Sequence, residues 1–208
     1  MKIIGVTGPT GAGKSLLCKA LSSALPVIDA DEVYHSLLLP PSECLDALRN
    51  TFGDAVFTPD GTLDRAALSS IVFSDEEQLE LLNRTVLDFV LQSIRARIAE
   101  LDTQGHSCVL VDAPTLIESG FHLECDAVIS VLASPDCRLS RIIARDSLSE
   151  ERAIARVSAQ KDEDFYRAHS DLILINDGTP EPMMRSATEF LETLGINLSL
   201  QNRLKGVL

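Results

Sequence analysis

The stretch Ile3-Ile4-Gly5-Val6-Thr7-Gly8-Pro9-Thr10-Gly11-Ala12-Gly13-Lys14-Ser15 passes from an apolar strand through a glycine-rich turn into a helical pattern, and it decides the fold. G-x-x-x-x-G-K-S in that setting is a specific signal. Successive backbone N–H groups and the start of the following helix form a cradle for an anion, which glycines leave unobstructed. Lys14 is suited to reach the β- and γ-phosphates of a nucleotide, and the Ser15 hydroxyl to ligate Mg²⁺. We therefore assign ATP binding to Gly8, Gly11, Ala12, Gly13, Lys14, Ser15 and Leu16.

Outward from this loop, further apolar runs at Pro26–Asp29, Cys108–Asp112, Ala127–Val131 and Leu172–Ile175 are each followed by a turn or a helical pattern. That alternation predicts an α/β fold with a mostly parallel sheet. The first helix is expected from Gly13 to about Ala24, with Leu16, Leu17, Ala20, Leu21 and Ala24 as its apolar stripe. The second and third strands are separated by about 75 residues without a convincing strand, which implies a helical insertion. Within it, Asp60-Gly61 marks a turn before a short helix over Asp64–Val72. Ser74-Asp-Glu-Glu77 forms a capping box, and Leu82, Val86, Val90, Ile94 and Ile98 follow at a spacing of four, predicting a long amphipathic helix. A second, charged insertion, Arg141 to His169, has helix openings at Ser134-Pro135 and Ser149 and is expected to act as a mobile cover. The last helix is expected from Thr179-Pro180 to Gly195, followed by a short tail.

With 208 residues and 45% hydrophobic content, the chain suffices for one sizeable core in one folding unit. The net charge of −13 argues against a broad nucleic-acid-binding surface, so an anionic ligand needs a local positive pocket. Cys18, Cys44, Cys108, Cys125 and Cys137 are odd in number and lack C-x-x-C spacing, which fits reduced thiols in a cytoplasmic protein. No apolar run approaches the roughly 20 residues that span a bilayer, so no membrane association is expected.

Three further groups carry candidate chemistry. Cys108-Val-Leu-Val-Asp112 ends a strand in a carboxylate, where an Asp112 associated with Mg²⁺ through a bound water belongs. Asp29 and Asp31 end the second strand at the carboxyl edge; one of them is suited to accept the proton of an attacking hydroxyl, and both equally suit helix capping. Arg138, Arg141 and Arg145 share one helix face, and Arg152, Arg156 and Gln160 repeat the arrangement, so two rows are available to clamp phosphates. The four histidines are scattered and receive no role.

Taken in order, these blocks resemble the dephospho-CoA kinase family from Ile3 to about Gly178. The resemblance is carried by the phosphate loop, Ile28-Asp-Ala-Asp31, Phe52-Gly53, Asp60-Gly-Thr-Leu-Asp64-Arg65-Ala-Ala-Leu68, Ile71-Val-Phe73 and Leu82-Asn83. It continues through Asp112-Ala-Pro114-Thr-Leu116-Ile-Glu118-Ser-Gly120, Arg141-Ile-Ile-Ala-Arg145-Asp146, Arg156-Val-Ser-Ala-Gln160 and Asp171-Leu-Ile-Leu-Ile-Asn176-Asp-Gly178. Departures are Leu87-Asp88, where the family usually has His-Pro, Thr115 within the D-x-P-L-L run, and Arg138, where glutamine is frequent.

The resemblance implies transfer of the ATP γ-phosphoryl group to the 3′-hydroxyl of dephospho-CoA, on a three-layer P-loop kinase fold with a five-stranded parallel sheet. It implies a core of about 1–32, 106–140 and 170–208, a helical acceptor-binding insertion of about 33–105, and a lid of about 141–169, all in one unit. Asp31 is implied as the base, Asp60, Asp64 and Arg65 as acceptor-binding residues, and Arg141, Arg145 and Asn176 as residues facing ATP. The rivals are another P-loop small-molecule or nucleoside kinase and a non-enzymatic nucleotide-dependent switch. No N-K-x-D guanine-reading motif supports the latter.

Overall fold

Strands that are apolar along their whole length need cover on both faces, and the five predicted ones form a single parallel sheet. The computed structural model describes residues 1–72 and 75–198. Strands β1 (Lys2–Thr7), β2 (Val27–Asp29), β3 (Cys108–Asp112), β4 (Ala127–Leu132) and β5 (Leu172–Ile175) lie in the order β2-β3-β1-β4-β5. β1 pairs in parallel with β3 through Ile4↔Leu110 and with β4 through Val6↔Ile129. The first strand is thus central, and the chain crosses from one side of it to the other between β3 and β4. In open α/β sheets such a reversal opens a crevice at the carboxyl ends of the strands, where the loop after β1 begins.

Helices cover both faces of the sheet. On one, Leu17, Cys18 and Leu21 of α1 (Lys14–Leu21) and Met183, Ala187 and Leu191 of α9 (Pro180–Thr193) share a core with Ile4, Val6, Leu110, Ile129 and Leu174. On the other, Leu132 and Ile173, side chains of opposite parity on β4 and β5, pack with Ile117 and with Phe165 and Tyr166 of α8 (Glu163–Ala168). α6 (Pro135–Asp146) and α7 (Glu150–Ser158) precede α8 and are the helices predicted from Ser134-Pro135 and Ser149.

The chain divides into two compact units, Met1–Ile28 with Leu101–Leu208, and Asp29–Glu100. The second unit contains α2 (Ala30–Leu37), α3 (Glu43–Phe52), α4 (Arg65–Val72) and most of α5 (Glu76–Thr103). Its own core joins Leu38, Cys44, Leu45, Leu48 and Val86, with a neighbouring cluster of Val56, Leu68 and Val72.

Some expectations need correction. Gly13 has φ +108 and stands outside α1, which ends at Leu21. Leu16 and Ala20 are exposed, because the helix turns Cys18 toward the core with Leu17 and Leu21. Ser74 of the capping box and Phe73 lie outside the described residues, as does the tail from 199 onward. The described cap of α5 is Asp75, whose Oδ1 accepts from the N–H groups of Glu77 (2.9 Å) and Gln78 (3.4 Å).

Candidate active site

The loop between β1 and α1 takes backbone conformations open to glycine: φ is +130 at Gly8, +78 at Gly11 and +108 at Gly13. Space excludes a side chain as firmly as torsion does. A Cβ would meet the Val131 carbonyl oxygen at 2.1 Å from Gly8, the Arg138 carbonyl oxygen at 2.8 Å from Gly11, and Asn176 Nδ2 at 2.2 Å from Gly13. Gly13 supplies no side-chain cap, so no N-cap oxygen competes with an anion at the positive end of α1. Lys14 folds over the loop and donates from Nζ to the Gly8 carbonyl at 2.6 Å.

The outer side of the loop is held by residues far away in sequence. Arg138 Nε donates to the Thr10 carbonyl at 3.0 Å, and Arg138 Nη2 to Gln160 Oε1 at 3.2 Å. The same Gln160 oxygen accepts from the Thr10 N–H at 2.5 Å. Arg141 Nη1 donates to the carbonyls of Gly11 (3.2 Å) and Ala12 (3.4 Å), and its Nη2 to the Asn176 carbonyl at 2.8 Å. Asn176, buried at the end of β5, donates from Nδ2 to Ala12 at 2.8 Å. The loop peptides are trans, so fixing the Thr10 and Ala12 carbonyls outward turns the N–H groups of Gly11 and Gly13 to the opposite side. The cradle is preorganised from behind.

Asp112 lies at the carboxyl end of β3, in register with Val6, one strand away from the start of the loop. Thr7, fully buried between them, donates from its hydroxyl to the Pro114 carbonyl at 3.2 Å and secures the turn after β3. The Ser15 hydroxyl and the buried Asp112 carboxylate are hard oxygen donors, the chemistry a Mg²⁺ ion selects. No group of three or more His, Cys, Asp or Glu able to hold a metal occurs among the described residues, so such an ion would take its other ligands from phosphate and water.

The two predicted arginine rows divide. Arg138 and Ile142 are the buried positions of α6, and Arg141 joins them against the loop. Arg145 instead forms a two-pronged pair with Asp146 (2.7 and 2.9 Å), and Arg156 of α7 donates to Oδ2 of the same carboxylate at 2.7 Å. Hydrogen bonds from Arg145, then the charges of both arginines, hold the Asp146 carboxyl below the usual carboxylate range. The hydrogen bonds and negative charge of Asp146 in turn raise the Arg145 guanidinium. Burial pulls the Arg138 guanidinium down, partly offset by the nearby Tyr166. The contacts of Arg138 and Gln160 with Thr10 are absent from the sequence reading, which gave both residues only as members of phosphate-facing rows; the i, i+4 pairing of Arg138 with Ile142 was the available signal for an inward arginine.

In the second unit the aspartates behave differently from one another. Asp29 caps α2, its Oδ1 accepting from Asp31 N–H (2.8 Å) and Glu32 N–H (3.1 Å). Asp31 is exposed in the first turn. Asp60 accepts from the hydroxyls of Thr58 and Thr62, bonds that hold its carboxyl below the usual range, in the loop closed by the Phe57↔Leu63 bridge. Asp64 caps α4 through the N–H groups of Ala66 and Ala67, both at 3.0 Å. Arg65 is exposed, and its charge acts on half-buried Tyr34, whose hydroxyl burial pushes up.

Comparison with known proteins matches residues 2–181 to the family model described as dephospho-CoA kinase. A dephospho-CoA kinase of Anaeromyxobacter dehalogenans is 35% identical over 195 residues, spanning 93% of this chain and 92% of that protein. A crystal structure from Thermus thermophilus superposes with a TM-score of 0.77 at 32% identity, covering 93% of this chain and 97% of the other. A dephospho-CoA kinase structure from Campylobacter jejuni, 24% identical, shares the fold with a TM-score of 0.68 over 93% of this chain and 98% of its own.

Proposed function

The chain belongs to the dephospho-CoA kinase family, a family of ATP-dependent phosphotransferases, and on that premise we propose how its residues divide the work of transfer. The acceptor is the ribose 3′-hydroxyl of dephospho-CoA and the donor is ATP. The acceptor oxygen bonds to the γ-phosphorus as the bond to the bridging oxygen of ADP breaks, and the hydroxyl proton passes to the Asp31 carboxylate. Coenzyme A and ADP leave. The observation that carries this reading is the glycine cradle, whose amides are aimed by Arg138, Arg141 and Asn176 from its outer side.

The cradle amides and Lys14 stabilise charge on the β- and γ-phosphates, a role preorganised donors perform without reorganising as charge develops. Mg²⁺, when bound, neutralises phosphate charge, with Ser15 and Asp112 as its protein-side partners. Arg145 exchanges its two-pronged pair with Asp146 for two oxygens of one phosphate when ATP is bound, and the α6–α8 segment excludes water that would otherwise hydrolyse ATP. Asp64, Asp60 and Arg65 shape the acceptor-binding region, Arg65 by charge and the two aspartates by fixing the loops on either side of Thr62. No described helix is long and apolar enough to cross a membrane, which fits a cytoplasmic enzyme acting on soluble metabolites.

The purified protein is expected to convert dephospho-CoA and MgATP to coenzyme A, read by mass spectrometry, and to leave shikimate, gluconate and nucleosides unphosphorylated. Turnover of one of these with none of dephospho-CoA would transfer the reading to another kinase. Turnover of no acceptor, with nucleotide-dependent capture of a protein, would make the chain a switch.

A further inference from the structure

We propose that Arg138 and Gln160 form a lock on the phosphate loop, acting as positioning residues for ATP, with the Gln160 carboxamide coupling the segment after α7 to the loop's tip. The two residues grip Thr10 at both of its peptide bonds. Arg138 Nε holds the carbonyl at 3.0 Å, Gln160 Oε1 holds the N–H at 2.5 Å, and Arg138 Nη2 closes the ring by donating to the same Gln160 oxygen at 3.2 Å. Only a guanidinium fork spans two acceptors in this way; a lysine is a single point donor.

The lock has a direct consequence for the cradle. Rotation of the Thr10–Gly11 peptide would swing the Gly11 N–H away from the phosphate side and replace it with a carbonyl, which repels an anion. Gly11 has no side chain to resist that rotation and sits at φ +78, so resistance has to come from outside, and Arg138 supplies it at the carbonyl. Arg138 is itself seated in a buried position of α6, whereas Gln160 is exposed and lies one residue beyond the C-terminal cap of α7. Movement of α7 therefore acts on the loop through one carboxamide. The lock is separate from Arg145, whose guanidinium is engaged by Asp146.

The inference rests on the loop's being the ATP site, and steady-state kinetics of the full chain separates the two. Gln160→Ala removes an exposed side chain and is expected to melt with the wild type while raising the KM for ATP roughly 10-fold, the dephospho-CoA KM staying within about twofold. Arg138→Ala and Arg138→Lys are expected to show the same selective ATP defect, and Arg138→Ala combined with Gln160→Ala to be no worse than Arg138→Ala alone, because the residues form one unit. An ATP KM for Gln160→Ala within about twofold of wild type overturns the lock, as do multiplying defects in the double variant or full rescue by lysine. Should Arg138→Ala not fold, Gln160→Ala alone decides. Failure of the wild type to bind ATP would instead remove the site itself.

Discussion

Asp31 differs from its neighbour Asp29 in having no local backbone task, although the two stand one residue apart. The Asp29 carboxylate is taken up by two N–H groups of the helix it starts, while Asp31 projects from the first turn with its side chain exposed. Asparagine matches aspartate in size but accepts no proton, so Asp31→Asn is expected to lower kcat by about 10²-fold or more with little change in ATP affinity. Nucleotide titration alongside steady-state kinetics checks this. An unchanged kcat would release Asp31 from the role of base. The sequence D-A-D alone left capping and catalysis equally open for both residues, since each task requires only a carboxylate near a strand end. Hydrogen-bond geometry, which spacing does not encode, gives the capping task to Asp29.

Helix α2 is the element in which that capping has an energetic consequence. It is eight residues long, too short to persist on propensity, and Asp29 satisfies two of its four orphan amides. Asp29→Ala is expected to lower unfolding free energy by about 1 kcal/mol, measured by urea denaturation. A loss below about 0.3 kcal/mol would mean that packing of Val33 alone holds the helix. The same contrast explains which elements were legible. The strands announced themselves because both faces are covered, so every residue is apolar, as in Cys108-Val-Leu-Val. α5 was legible because Val86 and Ile94 recur at helical spacing over a long run. α2 and α3 are short, with Pro40-Pro41 close between them, and bury few positions each; their apolar pattern is too brief to separate helix from loop. Within the site, the glycines and Lys14 were legible because their constraint is local. Gln160 was not, because its partner Thr10 lies 150 positions away and only the fold brings them together.

For the molecule as a whole, two of the five cysteines, Cys108 and Cys125, bear on how stability responds to alkali. Cys108 is fully buried on β3, and burial, followed by the charge of Asp126, pushes its thiol up from an ordinary 9.0 to about 12. Burial does the same for Cys125, also to about 12, with Glu124 and Asp126 adding to it. The folded state therefore keeps both protons after the unfolded chain has released its own, and alkali favours unfolding. By linkage, the contribution of these thiols is complete below the unfolded pKa near 9 and is lost as pH rises toward the folded value of about 12. Each pH unit within that window removes about 1.4 kcal/mol per thiol. Tyr166, buried against Leu132 and Ile117, is pushed from 10.0 to about 12 and acts in the same direction over the upper part of the window. The net charge of −13 also grows with pH, and its self-repulsion adds a slope of the same sign without any contribution from the thiols. Denaturant midpoints measured from pH 7 to 10.5, compared between the wild type and a variant carrying Cys108→Ala and Cys125→Ala, distinguish the two causes. The wild type is expected to be level to about pH 8.5 and then to fall more steeply than the variant. Parallel curves would assign the whole alkaline loss to general charge repulsion and Tyr166, and would mean that the two thiols ionise in the folded protein as readily as in the unfolded chain.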